Sequence, residues 1–292
     1  MQVTRAKLHV FVEGRDLDSY VYGRICEAVM PGIFTHRITR ADELSPASTG
    51  GKEVLLAHFK RFRRQNKLVI DFKGAKSATL FFLDKDLDDL SRRKKRSGHV
   101  VYTRSYDLEA EVFREGDLVD AVAALCSLSP TAVRHKFAPT DWRKQSLDAW
   151  RPWVEFCVLS KTNPALGLPS YGNVSLMHDS GDLALNPAKQ ARLATKLTTA
   201  SVAAAVSLLA LEDLAKRRVA RSYAATGGYE VFKGKWFPET VVALAKTHFP
   251  IEAGRVTAFK SHLASHVAQT LPMRAPWVLH YSQPIRALLA IL

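Results

Sequence analysis

Leu8-His9-Val10-Phe11-Val12-Glu13-Gly14 reads as a buried strand that ends on a carboxylate and passes straight into a glycine turn. It is apolar without alternation, the pattern of a parallel strand covered on both faces. A second stretch has the same shape. Ala78-Thr79-Leu80-Phe81-Phe82-Leu83 is a short apolar run that stops at Asp84-Lys85-Asp86-Leu87-Asp88-Asp89. Two apolar strands that both end in acid point to one site, and carboxylate oxygens are the ligands that magnesium or manganese takes.

Around these two strands the chain alternates. Asp16 to Val29 reads as a helix closed by Pro31-Gly32, and Ile33 to Ile38 as a second strand. Ala41 to Gly51 reads as a polar loop. Lys52 to Phe72 reads as one basic helix with Leu55, Leu56, Phe59 and Phe62 inward. His99 to Thr103 is the fourth strand, and Tyr106 to Phe113 opens a helix with acid in its first turn, where the helix dipole favours it. Strand, helix, strand, helix, strand is the order of a parallel α/β sheet flanked by helices. In such sheets functional groups gather at the carboxyl ends of the strands. Glu13 and Asp84 both fall there.

Beyond about residue 115 the pattern turns helical: Leu118 to Leu128, Asp182 to Tyr223 (one long Ala-rich helix or two), Pro238 to His248 and Gly254 to Leu271. Ser129 to Asp182, with Trp142, Trp150 and Trp153, carries no clear period. The division expected is a catalytic domain over 1–116 and a mostly helical region over 117–292 for interaction or substrate binding.

The 292 residues carry a formal net charge of +14, which favours a polyanionic partner, since neutralising phosphates releases counterions. Three widely spaced cysteines, Cys26, Cys126 and Cys157, fit neither a disulfide framework nor a zinc site and suit a reducing cytoplasm. Charges at Arg5, Lys7 and Glu13 interrupt any signal-peptide core, and the longest apolar run, Ala200 to Leu211, is too short to span a bilayer. The expectation is a cytoplasmic protein with no membrane partner.

Asp84 and Asp86 are two apart, so in an extended chain both carboxylates face one point. Asp88 and Asp89 follow on the loop. Glu13 can add a ligand or act as general acid or base, and Gly14 lets the backbone turn sharply. The plain alternative is a solvated acidic turn. An EF-hand is excluded, because Asp89 stands where glycine is needed and Lys95 where the bidentate glutamate belongs.

Val12-Glu13-Gly14 followed about seventy residues later by Asp84-Lys85-Asp86 resembles a Toprim domain. Phe11-Val12-Glu13-Gly14-Arg15-Asp16 with Leu83-Asp84-Lys85-Asp86 and Tyr106-Asp107-Leu108-Glu109 is similar to the small OLD-like Toprim proteins of phage defence, over roughly residues 8 to 115. The resemblance implies a magnesium- or manganese-dependent endonuclease. In it Glu13 is the catalytic acid or base, Asp84 and Asp86 bind the metal, and Glu109 is a further ligand candidate. Relatives often have an acidic residue near position 17. Here Leu17 stands there, flanked by Asp16 and Asp18. The resemblance also implies an ABC-type ATPase partner and a tRNA or DNA substrate. A homodimer is a further partner. Asp88 completes the candidate metal ligands, and Lys85 joins the catalytic set as a cation to offset phosphate charge.

The densest basic runs are Lys60-Arg61-Phe62-Arg63-Arg64 and Arg92-Arg93-Lys94-Lys95-Arg96, and the second follows the acidic loop, where it can hold a phosphate backbone. Lys216-Arg217-Arg218 with Arg221 reads as an exposed helix face. Gly50-Gly51-Lys52 resembles the end of a P-loop, but Glu53 holds the Ser/Thr position and Pro46 the first glycine position, so nucleotide hydrolysis there is rejected. His262 and His266 lack the glutamate of a metalloprotease helix and read as ordinary histidines. Cys26 and the tryptophans read as core. A second function class is a Toprim nucleic-acid-binding or adaptor subunit that does not cut, and a primase-like activity lacks nucleotide-binding elements.

Overall fold

The computed structural model describes residues 6–14, 17–29, 36–45, 51–90, 94–137, 141–168, 174–179, 182–249, 251 and 253–292. Asp16, residues 33–35 of the expected second strand and Arg92 and Arg93 of the second basic run lie outside them. The strands are β1 (Leu8–Val12), β2 (His36–Arg40), β3 (Val69–Phe72), β4 (Ala75–Leu83) and β5 (Val100–Tyr102). The helices among and after them are α1 (Asp18–Val29), α2 (Ala41–Leu44), α3 (Gly51–Arg64), α4 (Leu108–Glu115), α5 (Leu118–Cys126), α6 (Pro130–Phe137) and α7 (Trp142–Ala149). They continue with α8 (Arg151–Thr162), α9 (Pro187–Ala203), α10 (Leu208–Thr226), α11 (Phe237–His248), α12 (Ala253–Gln269) and α13 (Leu279–Leu289). Among the described residues no helix is long and apolar enough to cross a membrane.

The chain forms two compact units. One joins Met1–Lys85, Lys94–Arg104 and Leu271–Leu292, and the other joins Asp86–Arg93 and Ser105–Thr270. These limits differ from a division after residue 116: α4 sits in the helical unit, and the C-terminal segment returns to the sheet unit.

In the sheet unit, β1 pairs in parallel with β2 on one side and with β4 on the other, and β5 pairs in parallel with β4. β3 runs antiparallel to the first half of β4, so the sheet is mixed rather than wholly parallel. The reason lies in the stretch expected as one helix over 52–72. α3 stops at Arg64, Asn66 takes a left-handed φ of 53°, and β3 then forms a hairpin with β4. Lys73 and Gly74 at its tip both have positive φ, 54° and 79°, as a two-residue hairpin turn requires. Asp71 Oδ1 accepts from the Gly74 N–H at 3.0 Å. The expected loop over 41–51 likewise contains α2, and α3 begins at Gly51.

Successive β4 side chains point to opposite faces, and this separates the two halves of the core. Phe81 stacks on Phe11, its register partner in β1, with centroids 5.0 Å apart, and α3 brings Phe59 and Phe62 against it. Phe82 faces the other way, stacked on Tyr22 of α1 at 4.1 Å and met edge-on by Tyr281 of α13. Helices thus cover both faces of the strand that ends in Asp84. The charged residues of α3, Lys60, Arg61, Arg63 and Arg64, are exposed on the side away from this core.

The helical unit is built on aromatic packing. Trp150 and Trp153 are fully buried and meet Trp236, while Phe113, Trp142, Phe232 and Phe237 form one continuous ring cluster. The segment 129–182 that shows no period in sequence supplies α6, α7 and α8 to this core. Of the two readings left open for Asp182 to Tyr223, one helix or two, the structure has two, α9 and α10, joined by a turn in which Ala205 takes a φ of 52°.

Phe82→Ala should lower the stability to urea by about 3–5 kcal/mol, because it empties a buried aromatic site between two helices. Phe72→Ala, on an exposed hairpin position, should change it by less than about 0.5 kcal/mol.

Candidate active site at the carboxyl ends of β1 and β4

From β1 the chain crosses to β2 on one side and later returns to β4 on the other, so the strand order reverses between β1 and β4. In open α/β sheets ligands bind outside the carboxyl ends of the strands at such a switch point. Glu13 follows the last residue of β1 and Asp84 follows the last residue of β4. The two residues are joined directly: Glu13 Oε1 accepts from the Asp84 N–H at 2.7 Å. A carboxylate held by a backbone N–H keeps a fixed direction, and a charge-assisted bond of this kind is stronger than a neutral one.

Asp18, left undecided beside Asp16 in the sequence, has a defined place. It is buried at the start of α1, and its Oδ2 accepts from the Gly14 N–H at 2.8 Å. A Cβ on Gly14 would lie 2.4 Å from Asp18 Oδ1, so a larger residue there would displace the Asp18 carboxylate. One turn further along α1, the Tyr22 phenol is pushed well above its ordinary range. Burial is the first cause, followed by the Tyr281 phenol and the negative charges of Asp18, Asp84 and Glu13. Three carboxylates therefore lie within electrostatic reach of one hydroxyl. Tyr22 has no part in the sequence reading of the site; its signal is the i, i+4 spacing from Asp18, which puts both on one helix face.

Lys85 turns away from a role at the surface. It is 4% exposed, its N–H donates to Thr103 Oγ1 at 2.8 Å, and its Nζ donates to the Arg104 carbonyl at 2.5 Å. Arg104 N–H in turn donates to the Tyr281 hydroxyl at 3.4 Å, which links α13 to the same corner. The lysine fastens the β5 end to the β4 end.

Asp86, Asp88 and Glu109 belong to the helical unit. β4 stops at Leu83, and Asp86 adopts a left-handed φ of 49° with its N–H on the Tyr106 carbonyl at 2.7 Å. The extended alternation that was to aim Asp84 and Asp86 at one point therefore does not reach Asp86. Asp88 is half-buried in the following turn. Glu109 stands in the first turn of α4, 3.7 Å from Lys235 Nζ. Its neighbours in the same motif have structural tasks. Asp107 caps α4 through the Ala110 N–H and also accepts from the Gly234 N–H, and Glu111 accepts from Ser105 N–H and Oγ–H at 3.0 and 2.7 Å.

Among the described residues no group of three or more His, Cys, Asp or Glu is placed to hold a metal ion. Magnesium does not need such a cage: it binds through one or two carboxylates, with waters and substrate phosphates completing its octahedron. Glu13 and Asp84 are oxygen donors of the kind it takes. The remaining sequence candidates settle elsewhere. Trp142, Trp150 and Trp153 are core, His262 is exposed and His266 half-buried on α12, and burial raises the Cys26 thiol to about 12, which removes it as a nucleophile.

No protein-family model matches the chain, and no curated protein is found that is similar to it in sequence.

Gly14→Ala should destabilise the fold by about 1–3 kcal/mol through the forced displacement of Asp18. In a double-mutant cycle with Asp18→Ala, read by urea unfolding, the two losses should be less than additive.

Proposed function

We propose that this chain is a metal-dependent endonuclease of the Toprim type, a phosphodiester hydrolase of nucleic acid. The observation that carries the reading is the Glu13–Asp84 pair, bonded at 2.7 Å where the strand order of a parallel β2-β1-β4 sheet reverses. A basic chain of net charge +14 that nonetheless concentrates carboxylates at this one place suits a phosphate substrate with a cation between the two. A protein that only bound nucleic acid would gain nothing from negative charge there.

In this reading Glu13 and Asp84, both in the sheet unit, hold the ion. Magnesium or manganese, when bound, supplies a Lewis acid for the phosphodiester and a water of lowered pKa. Glu13, oriented by the Asp84 N–H, is the group that takes or returns a proton. Lys85 acts as a positioning residue, since its ammonium ties the end of β4 to the Arg104 carbonyl. The resemblance to small OLD-like Toprim proteins extends the proposal to a defence effector that works with an ABC-type ATPase, on tRNA or DNA.

The test is incubation of wild-type and Glu13→Gln protein with plasmid DNA and with total tRNA, in Mg²⁺, Mn²⁺ or EDTA, with and without the ATPase. Wild type should cut one substrate only when metal is present, and the variant should be slower by about 10²–10⁴-fold, the usual worth of a general acid or base. Undiminished cutting by Glu13→Gln would sink the assignment. Substrates bound in EDTA but left intact under every condition would establish a binding subunit instead.

A further inference from the structure

Gly50-Gly51-Lys52, rejected as a P-loop, is left without a role by the nuclease reading, and the second basic run, expected to hold a phosphate backbone, is described from Lys94 onward. The fold brings pieces of both to the site. Gly51 opens α3 against the end of β1: a Cβ there would lie 2.9 Å from the Glu13 carbonyl oxygen. The next residue, Lys52, places its Nζ 5.7 Å from the centroid of the Tyr102 ring. Lys94 places its Nζ 5.3 Å from the same centroid. Tyr102 is the last residue of β5 and the register partner of Leu83, so its ring stands beside the residue that precedes Asp84. The ring is held at its tip, where its hydroxyl accepts from the Lys95 N–H at 2.9 Å, and the residue's backbone carbonyl meets His280 Nε2 at 2.8 Å. Both ammoniums are thus anchored to one rigid aromatic at the carboxyl edge of the sheet, from segments more than forty residues apart.

We infer that Lys52 and Lys94, seated on Tyr102, form a clamp for a backbone phosphate of the nucleic-acid strand that runs past Glu13 and Asp84. The inference deepens the nuclease reading and rests on it for the identity of the strand. An ammonium on an aromatic face loses little entropy on meeting its ligand, because the ring already restricts it. Contacts of this kind fix the register of a strand without reading its sequence. Gly51 is the residue that allows Lys52 this position, because any side chain there would push α3 away from β1.

The experiment separates the clamp from the chemistry by measuring binding in a Glu13→Gln background at fixed Mg²⁺. Fluorescein-labelled tRNA and a labelled DNA duplex are titrated at several salt concentrations with the chain, and again after Lys52→Gln, Lys94→Gln, Lys52→Arg or Lys94→Arg is added. Each glutamine change should weaken binding and reduce the slope of log K against log salt by about 0.7–0.9, one phosphate contact's worth, while the arginine changes keep the slope. Lys76→Gln, an exposed cation on the β3–β4 hairpin, removes the same charge and should leave the slope as it was. An unchanged slope in both lysine variants, or an equal loss in Lys76→Gln, overturns the clamp. The nuclease reading is judged separately, by cleavage with Glu13 intact, so either conclusion can fail alone.

Discussion

The sheet unit depends on the parallel pairing of β1 with β4. This pairing puts Phe11 on Phe81, aligns two strand ends, and leaves the Asp84 N–H, one residue beyond β4, where the Glu13 carboxylate can accept it. A backbone N–H past the end of a strand has no ladder partner and must find another acceptor. Here the acceptor is the side chain that also carries the proposed chemistry. The hydrogen bond that the strand end needs thus also orients Glu13 for the proposed role.

Residues that look catalytic in the chain have been drawn into holding backbone groups, Lys85 at this corner and others within the helical unit. Lys85 lies between two acids in sequence, yet its ammonium is enclosed against the Arg104 carbonyl. Burying an ammonium is tolerable only with such acceptors, and the result is a brace between β4 and the segment after β5. Asp107 and Glu111 are similar. Their carboxylates satisfy the backbone at the start of α4, and Asp107 reaches Gly234, whose missing Cβ lets the chain come that close. In each case an ionisable side chain replaces water around backbone groups that the fold has taken out of solvent.

The cations divide in the same way. Those of α3 beyond Phe59 face solvent, whereas Lys52 and Lys94 lie over Tyr102 near the acidic pair. Net charge makes a polyanionic partner attractive over the whole surface, but only cations fixed on a rigid element can set the position of one phosphate. The aromatic ring at the end of β5 supplies that rigidity, and it is itself part of the core under α3.

What the sequence by itself determined is the α/β class, the two apolar strands that end at Glu13 and Asp84, and the helical character of the later chain. These are properties of short windows, where burial on both faces of a strand or one face of a helix leaves a readable period. The hairpin of β3 and β4 was also written locally, in the Lys73-Gly74 turn after Val69-Ile70, but the amphipathic α3 before it masked the change of period. Only the tertiary structure decided where each of the candidate acids and cations is placed. Asp18 reaches Gly14, Lys85 turns inward, Asp86 leaves the extended path, and Lys52 and Lys94 each lie over the Tyr102 ring. Apart from the Asp18–Gly14 bond, which is local, these outcomes depend on contacts between segments well separated in the chain and on which backbone groups are left needing a partner. A charged residue reads the same in sequence whether it braces the fold or faces a substrate.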